Sequence, residues 1–214
     1  MLKKSLSNGN ATRELKWHTE LKSRFSINFW DKSRKLCASI CHENPMKWLQ
    51  YQILRNCLQT NVIVSHFIHN VNPACQYCKN SDEVISHLFW LCPIVSEFLK
   101  NIFALICKTG LAFNPTREQF LFGYLDQAFS SPSNYLVLIL KKYIWSNKFK
   151  EIKNLLIFRL KIYLGYTLSD LKLIYDLKNK SAAFNVWNDL LVLVPEADTD
   201  LLFFLQHMYI SSLS

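Results

Sequence analysis

Cys75-Gln-Tyr-Cys78 is followed by eight residues, then His87, four more, and Cys92. Three thiols and one imidazole supply the full ligand count for one tetrahedral Zn²⁺. Two cysteines separated by two residues can face one ion from a tight turn, and Asn72 and Pro73 prepare such a turn. His87 and Cys92 are five apart, so one helical turn and its break bring them to a similar height. Pro93 stops one helix and opens the next, which leaves Cys92 at the kink between them. Four protein ligands leave no open position for water. The expected role of the metal is therefore structural and not catalytic.

Packing offers another origin for such side chains, because free Cys is among the most buried residue types. That origin suits Cys37, Cys41, Cys57 and Cys107, which are expected to be ordinary buried thiols. It suits the Cys75 to Cys92 set less well, since a turn-borne C-x2-C beside H-x4-C rarely arises from packing alone. His66 and His69 form a rival pair for Cys75 and Cys78. They rank below His87 because they would leave Cys92 unused.

A second chemistry is polyanion binding. Between Pro45 and Asn61, Trp48, Tyr51, Leu54, Cys57 and Leu58 follow helical spacing, with Lys47, Gln50, Arg55 and Gln59 on other faces. Rings beside Lys and Arg offer base stacking and phosphate neutralisation together, although any amphipathic helix looks similar. The candidate nucleic-acid residues are Lys47, Trp48, Tyr51 and Arg55, joined by Lys141, Lys142 and Lys148 further along.

The elements that must position these residues read as helices. Gly is scarce (4 of 214 residues) and Pro modest (6), which leaves little turn chemistry for a strand-rich fold. Leu15, His18, Leu21 and Phe25 mark a first helix; Phe29, Trp30, Leu36 and Ile40 mark a second, with Trp30 as a core anchor. Asn44 is a good N-cap for a third, with Pro45 at its first position. Ser81 or Asp82 can cap a helix through His87 to Trp90. A longer one follows Pro93, with Phe98, Ile102, Phe103 and Ile106 as its buried stripe and Gly110 at its end. A short helix begins near Glu118, and residues 134–149 form an apolar one. Helical signal continues over 152–177, and two weaker acidic-flanked helices close the chain. The expected fold class is all-α, an irregular helical bundle with a small CCHC zinc-binding module. Its expected parts are a flexible basic arm (1–12), a helical region (13–110) holding the module at 75–92, and a C-terminal helical region (111–214).

The charge of +9 is uneven. Residues 1–35 carry +6 and residues 141–180 carry +7, while the last 34 residues carry −4. Two basic blocks flanking a neutral metal module suggest nucleic acid as partner. Half of the residues are hydrophobic, which argues against disorder. The N-terminus is polar and basic, so no secretory leader is expected. No uncharged apolar run reaches the roughly 18 residues needed to span a bilayer, so no membrane role is expected. Seven cysteines without a leader suggest a reducing, intracellular compartment, nucleus or cytoplasm.

Trp48-Leu-Gln-Tyr-Gln-Ile-Leu54, Gln59-Thr-Asn61 and the run from Cys75 through Glu83, His87 and Trp90-Leu-Cys-Pro93 stand in an order that resembles a known family. It is the zinc-binding region after the polymerase domain in LINE-type, non-LTR retrotransposon reverse transcriptases. Tyr143-Ile-Trp-Ser-Asn-Lys-Phe149 and Asn179-Lys180 resemble that family's basic helical tail. The resemblance covers roughly residues 15–185; it is specific at the Cys/His cluster and loose elsewhere. It implies a helical C-terminal region that binds template RNA or target DNA during target-primed reverse transcription. It carries the metal-ligand role to Cys75, Cys78, His87 and Cys92, and fixes no nucleic-acid contact.

Polymerase chemistry needs paired aspartates holding metal ions, and no adjacent Asp-Asp occurs. The nearest nuclease-like set, Pro195-Glu-Ala-Asp198, has no Lys or Glu after it. The expectation is a non-catalytic, zinc-stabilised nucleic-acid-binding module of such a polyprotein. The alternatives are a protein-interaction module that docks on the polymerase or a host factor through the Tyr135 to Trp145 helix, or an inactive remnant.

Overall fold

A computed structural model of the chain describes residues 14–40, 44–107, 113–126 and 132–149. The arm at 1–12 and the helical signals beyond residue 150 lie outside the described residues, as does Gly110. Within them the fold is helical. Helix α1 covers 14–21, α2 Ile27–Ile40, α3 Asn44–Leu54 and α4 Asn61–Ser65. A wider turn spans His87–Leu91, followed by α5 Pro93–Cys107, α6 Arg117–Phe122 and α7 Pro132–Asn147. The extended pairing among the described residues is one antiparallel bridge, Ala74 to Asp82.

Helix α3 is the hub. It packs on α2, α6 and α7 through Met46, Leu49, Gln50, Ile53 and Leu54. Trp17 of α1 reaches it by donating its indole N–H to the Ile53 carbonyl at 3.2 Å. An aromatic cluster of Phe25, Phe29, Trp30 and Phe122 closes α2 over α6, in mostly edge-to-face pairs. Trp30 is thus the core anchor that its sequence context suggested. Helix α5 buries Val95, Phe98, Leu99, Ile102, Phe103 and Ile106, which includes the whole expected stripe.

Helix α6 begins with a full capping box. The Thr116 hydroxyl accepts from the Gln119 N–H, and the Gln119 side chain accepts from the Thr116 N–H. It ends at Gly123, where φ is +95° and an added Cβ would lie 2.2 Å from Leu36 Cδ2. Asn134 of α7 then binds both backbone groups of Tyr124, accepting at 2.7 Å and donating at 3.1 Å. Helices α6 and α7 are thereby held in a fixed relation to α2 and α3.

Several expectations change. Leu15 is exposed; Leu21 is buried as expected, and Trp17 is the other buried residue of α1. Helix α3 ends at Leu54, because Asn56 adopts a left-handed conformation (φ 47°). Of the stripe expected on α3, Leu54 and Leu58 are buried, whereas Trp48, Tyr51 and Cys57 are exposed. Cys107 is also exposed, with its thiol 3.4 Å from the Phe113 carbonyl. The Cys37 side chain and Cys41 lie outside the described residues.

Candidate metal centre

The Cys turn is built by backbone hydrogen bonding. Asn72 Oδ1 accepts the Ala74 N–H, the Cys75 N–H donates to Ser81 O at 2.7 Å, and the Glu83 N–H donates to Pro73 O. Between these rungs the Lys79 N–H closes on Cys75 O at 2.9 Å, with Lys79 itself left-handed (φ 61°). Ser81 and Asp82 are therefore spent on a hairpin and do not cap the next helix. That duty falls to Glu20 of α1, whose Oε1 accepts the Ser86 N–H at 3.0 Å.

The second ligand pair sits on a π turn. The Cys92 N–H donates to His87 O at 2.8 Å, a five-residue closure that ties the two ligand backbones directly together. Cys92 then turns to an extended conformation, its carbonyl accepts from Ser96 at 2.7 Å, and Pro93 takes the first position of α5. The kink that Pro93 implies is present.

All four ligand atoms lie within 4.8 Å of one another. Cys75 Sγ and Cys92 Sγ are 3.8 Å apart, and Cys78 Sγ and His87 Nε2 are 3.3 Å apart. Metal bonds of about 2.3 Å to sulfur and about 2.0 Å to nitrogen give tetrahedral edges of about 3.8 Å and about 3.5 Å. The Cys75–Cys92 and Cys78–His87 distances lie close to two edges of such a cage. Cys75, Cys92 and His87 are buried and Cys78 is half-buried.

The electrostatics also suit a cation. Backbone N–H groups of Cys78 and Tyr77 point at the Cys75 sulfur, and those of Val95 and Ile94 in the first turn of α5 point at Cys92. Such donors favour thiolate, as does the positive end of α5. With no cation among them, the Cys75 thiol is pushed up by its bond to Cys92 and by burial. Cys92 is lowered by accepting that bond, against the cost of burial. His87 is lowered by burial, with Glu83 opposing, so its imidazole is kept in the neutral form that ligates metal.

Two residues between and beside the ligands anchor the centre. Tyr77 is buried and donates its hydroxyl to Ile144 O of α7 at 2.6 Å. Glu83 accepts from the N–H groups of Asn61 and Gln76 at 2.9 and 2.8 Å, and meets Lys148 Nζ at 2.5 Å. Asn61 also donates its side-chain amide to Ala74 O at 2.7 Å. These supports were not read from the sequence. A carboxylate directly after Asp82 is the sequence signal for Glu83, but its partner lies far along the chain.

His66 and His69 are exposed and outside the cluster, so they are not ligands. The nucleic-acid candidates divide. Trp48 and Tyr51 are 61% and 43% exposed, and Lys47, Arg55 and Lys142 are half-buried. Lys141 and Lys148 are each only 1% exposed, which corrects their expected place on a phosphate-binding surface. Lys141 donates to Gln50 Oε1 and to Leu121 O, and Lys148 is consumed by Glu83. Leu136, Leu138 and Ile139 are buried as well, so the apolar face offered for protein docking is core. No helix of the described residues is long and apolar enough to cross a membrane. Comparison with protein-family models, with curated proteins and with solved structures finds no match to this chain.

Proposed function

We propose that the chain is a zinc-stabilised, non-catalytic nucleic-acid-binding module of the kind found after the polymerase in non-LTR retrotransposon reverse transcriptases, acting on template RNA or target DNA. The observation that carries this reading is the closed four-ligand cluster at zinc-like spacing. Cys75, Cys78, His87 and Cys92 would hold Zn²⁺, and the ion would supply folding free energy to a hairpin too short to be stable alone. Charge supports the polyanion half: residues 44–81 contain no Asp or Glu, while Lys47, Arg55 and Lys79 lie within them. The burial of Lys141 and Lys148 favours this stretch as the contact surface, with half-buried Lys142 the remaining candidate on α7. The family origin rests on the order of motifs, and the polymerase part of the same polyprotein is the expected neighbour.

Titration of the metal-loaded chain on single-stranded RNA and on duplex DNA tests the reading. Binding should be measurable at low salt and weaken steeply as salt rises, because each neutralised phosphate releases counterions. No binding to either at low salt rejects it. A protein-docking function retains one observation in its favour, the exposed pair Phe67 and Ile68 just beyond α4. A chain that binds no nucleic acid, but self-associates or captures the polymerase part through that pair, would establish it instead.

A further inference from the structure

Two of the described tryptophans, Trp17 and Trp30, are core, and Trp48 is not. Its ring stacks on that of Tyr51, one turn along α3, with centroids 5.4 Å apart and planes 17° from parallel. Arg55 follows on the same side of the helix, its guanidinium carbon 5.3 Å from the Tyr51 ring centroid. The order is therefore Trp48 and Tyr51 on α3, then Arg55 in the turn just after it. A cation lies over the Tyr51 ring, and the Trp48 indole is 61% exposed. Core packing does not account for it, since α3 buries Met46, Leu49, Gln50, Ile53 and Leu54 instead. No acidic residue lies between Glu43 and Asp82, so an anionic partner meets no like charge from this stretch.

We propose that the Trp48–Tyr51 stack is a platform for an unpaired nucleotide base, which names single-stranded polynucleotide as the ligand of this surface. It rests on the nucleic-acid reading above and sharpens it. The two rings are already in contact, so a base adds to the free face of Trp48 and does not enter between them. Lys47 and Arg55 flank the platform and neutralise the phosphates on either side of that base. Duplex bases are stacked on one another and offer no such face, so a single strand is preferred. Every base has a π-face, so the preference is for strandedness and not for sequence.

The test uses the full metal-loaded chain at low salt with four probes of one length: oligo-dT, oligo-U, an abasic DNA strand and a DNA duplex. The wild type should bind oligo-dT or oligo-U more tightly than the abasic strand or the duplex. Trp48→Ala should lower affinity for the base-bearing single strands about ten-fold and leave the abasic strand unchanged, whereas Trp48→Phe should retain most of the binding. Trp48 is exposed, so both variants should fold, and circular dichroism checks this. If all four probes bind alike and Trp48→Ala changes none of them, the platform is wrong while the nucleic-acid reading survives. No binding to any probe sinks both. A wild-type dimer that Trp48→Ala converts to a monomer, with oligonucleotide binding intact, would make the rings a protein contact and overturn the proposal.

Discussion

Glu83 and Lys148 meet at 2.5 Å with both side chains withdrawn from solvent. The two residues stand 65 positions apart, one at the foot of the Cys hairpin and the other just past α7. The carboxylate also accepts backbone N–H groups of Asn61 and Gln76, so one side chain joins α4, the hairpin and the end of α7. Lys148 further lies over the rings of Trp145 and Phe149, at 4.8 and 4.9 Å from their centroids. This pair, with the Tyr77 hydroxyl on Ile144, makes the candidate metal centre part of the main core and not an appended finger.

Removing one partner of such a pair strands a buried charge. Lys148→Met should lower stability by about 3 kcal/mol, and Glu83→Gln by a similar amount, since neither remaining group regains water. The double variant should cost less than the sum, because no uncompensated charge is left. Chemical denaturation of the four proteins measures the coupling. Additive losses would mean that the pair contributes nothing beyond its separate hydrogen bonds.

A four-ligand centre predicts one divalent ion per chain. Elemental analysis should give one zinc, and cobalt(II) in its place should show the visible bands of tetrahedral thiolate coordination. Chelator should lower the melting temperature, and Cys78→Ser or His87→Ala should abolish the chelator effect along with most of the metal. An identical melting curve with and without chelator would exclude a structural ion.

Acid sensitivity follows from His87. Its folded pKa lies below the ordinary value of about 6.5 because burial disfavours the imidazolium. Below pH ~6.5 the unfolded state therefore binds a proton that the folded state refuses, and stability falls as pH drops through that window. Metal loss acts in the same direction, since protons compete for the ligands. Melting temperatures from pH 8 to 5 should fall most steeply below 6.5. Metal-free His87→Asn should flatten the histidine part of that slope.

Much of this was legible in the sequence where a residue type has one physical use. Cys75, Cys78, His87, Cys92 and Pro93 form a spacing that few other structures could satisfy, and they sit together. Facing was less legible. An aromatic ring raises the hydrophobic score of whichever helix face it occupies, so Trp48 and Tyr51 drew the α3 stripe toward themselves and away from Met46, Leu49 and Ile53. Buried lysines are rarer still, and nothing local marks Lys141 as buried: its acceptors, Gln50 Oε1 and Leu121 O, come from distant turns of chain. Glu20 capping Ser86 is hidden for the same reason, because a cap supplied by another helix leaves no N-cap motif.

Gly123 admits a direct test of how α6 meets α2. Its positive φ is strained for any L side chain, and a Cβ there would collide with Leu36 Cδ2. Gly123→Ala should destabilise by about 2 kcal/mol from the conformational strain and the overpacking together. Pairing it with Leu36→Ala should relieve the clash but not the backbone cost. A fully additive double variant would show that the loop shifts away from α2.

The buried and half-buried lysines separate stability from phosphate contact. Lys141→Met removes a donor from Gln50 Oε1 and from Leu121 O, so it should cost about 1–3 kcal/mol in denaturation. Its effect on nucleic-acid binding should be small once folding is intact, and the slope of log affinity against log salt should not move. Lys47→Ala should instead reduce that slope by about one. Lys142, half-buried on α7, is the discriminating position. A slope reduced by Lys142→Ala would extend the phosphate track from α3 onto α7. A reduction by Lys141→Met at unchanged stability would place the track within α7 itself, contrary to its burial.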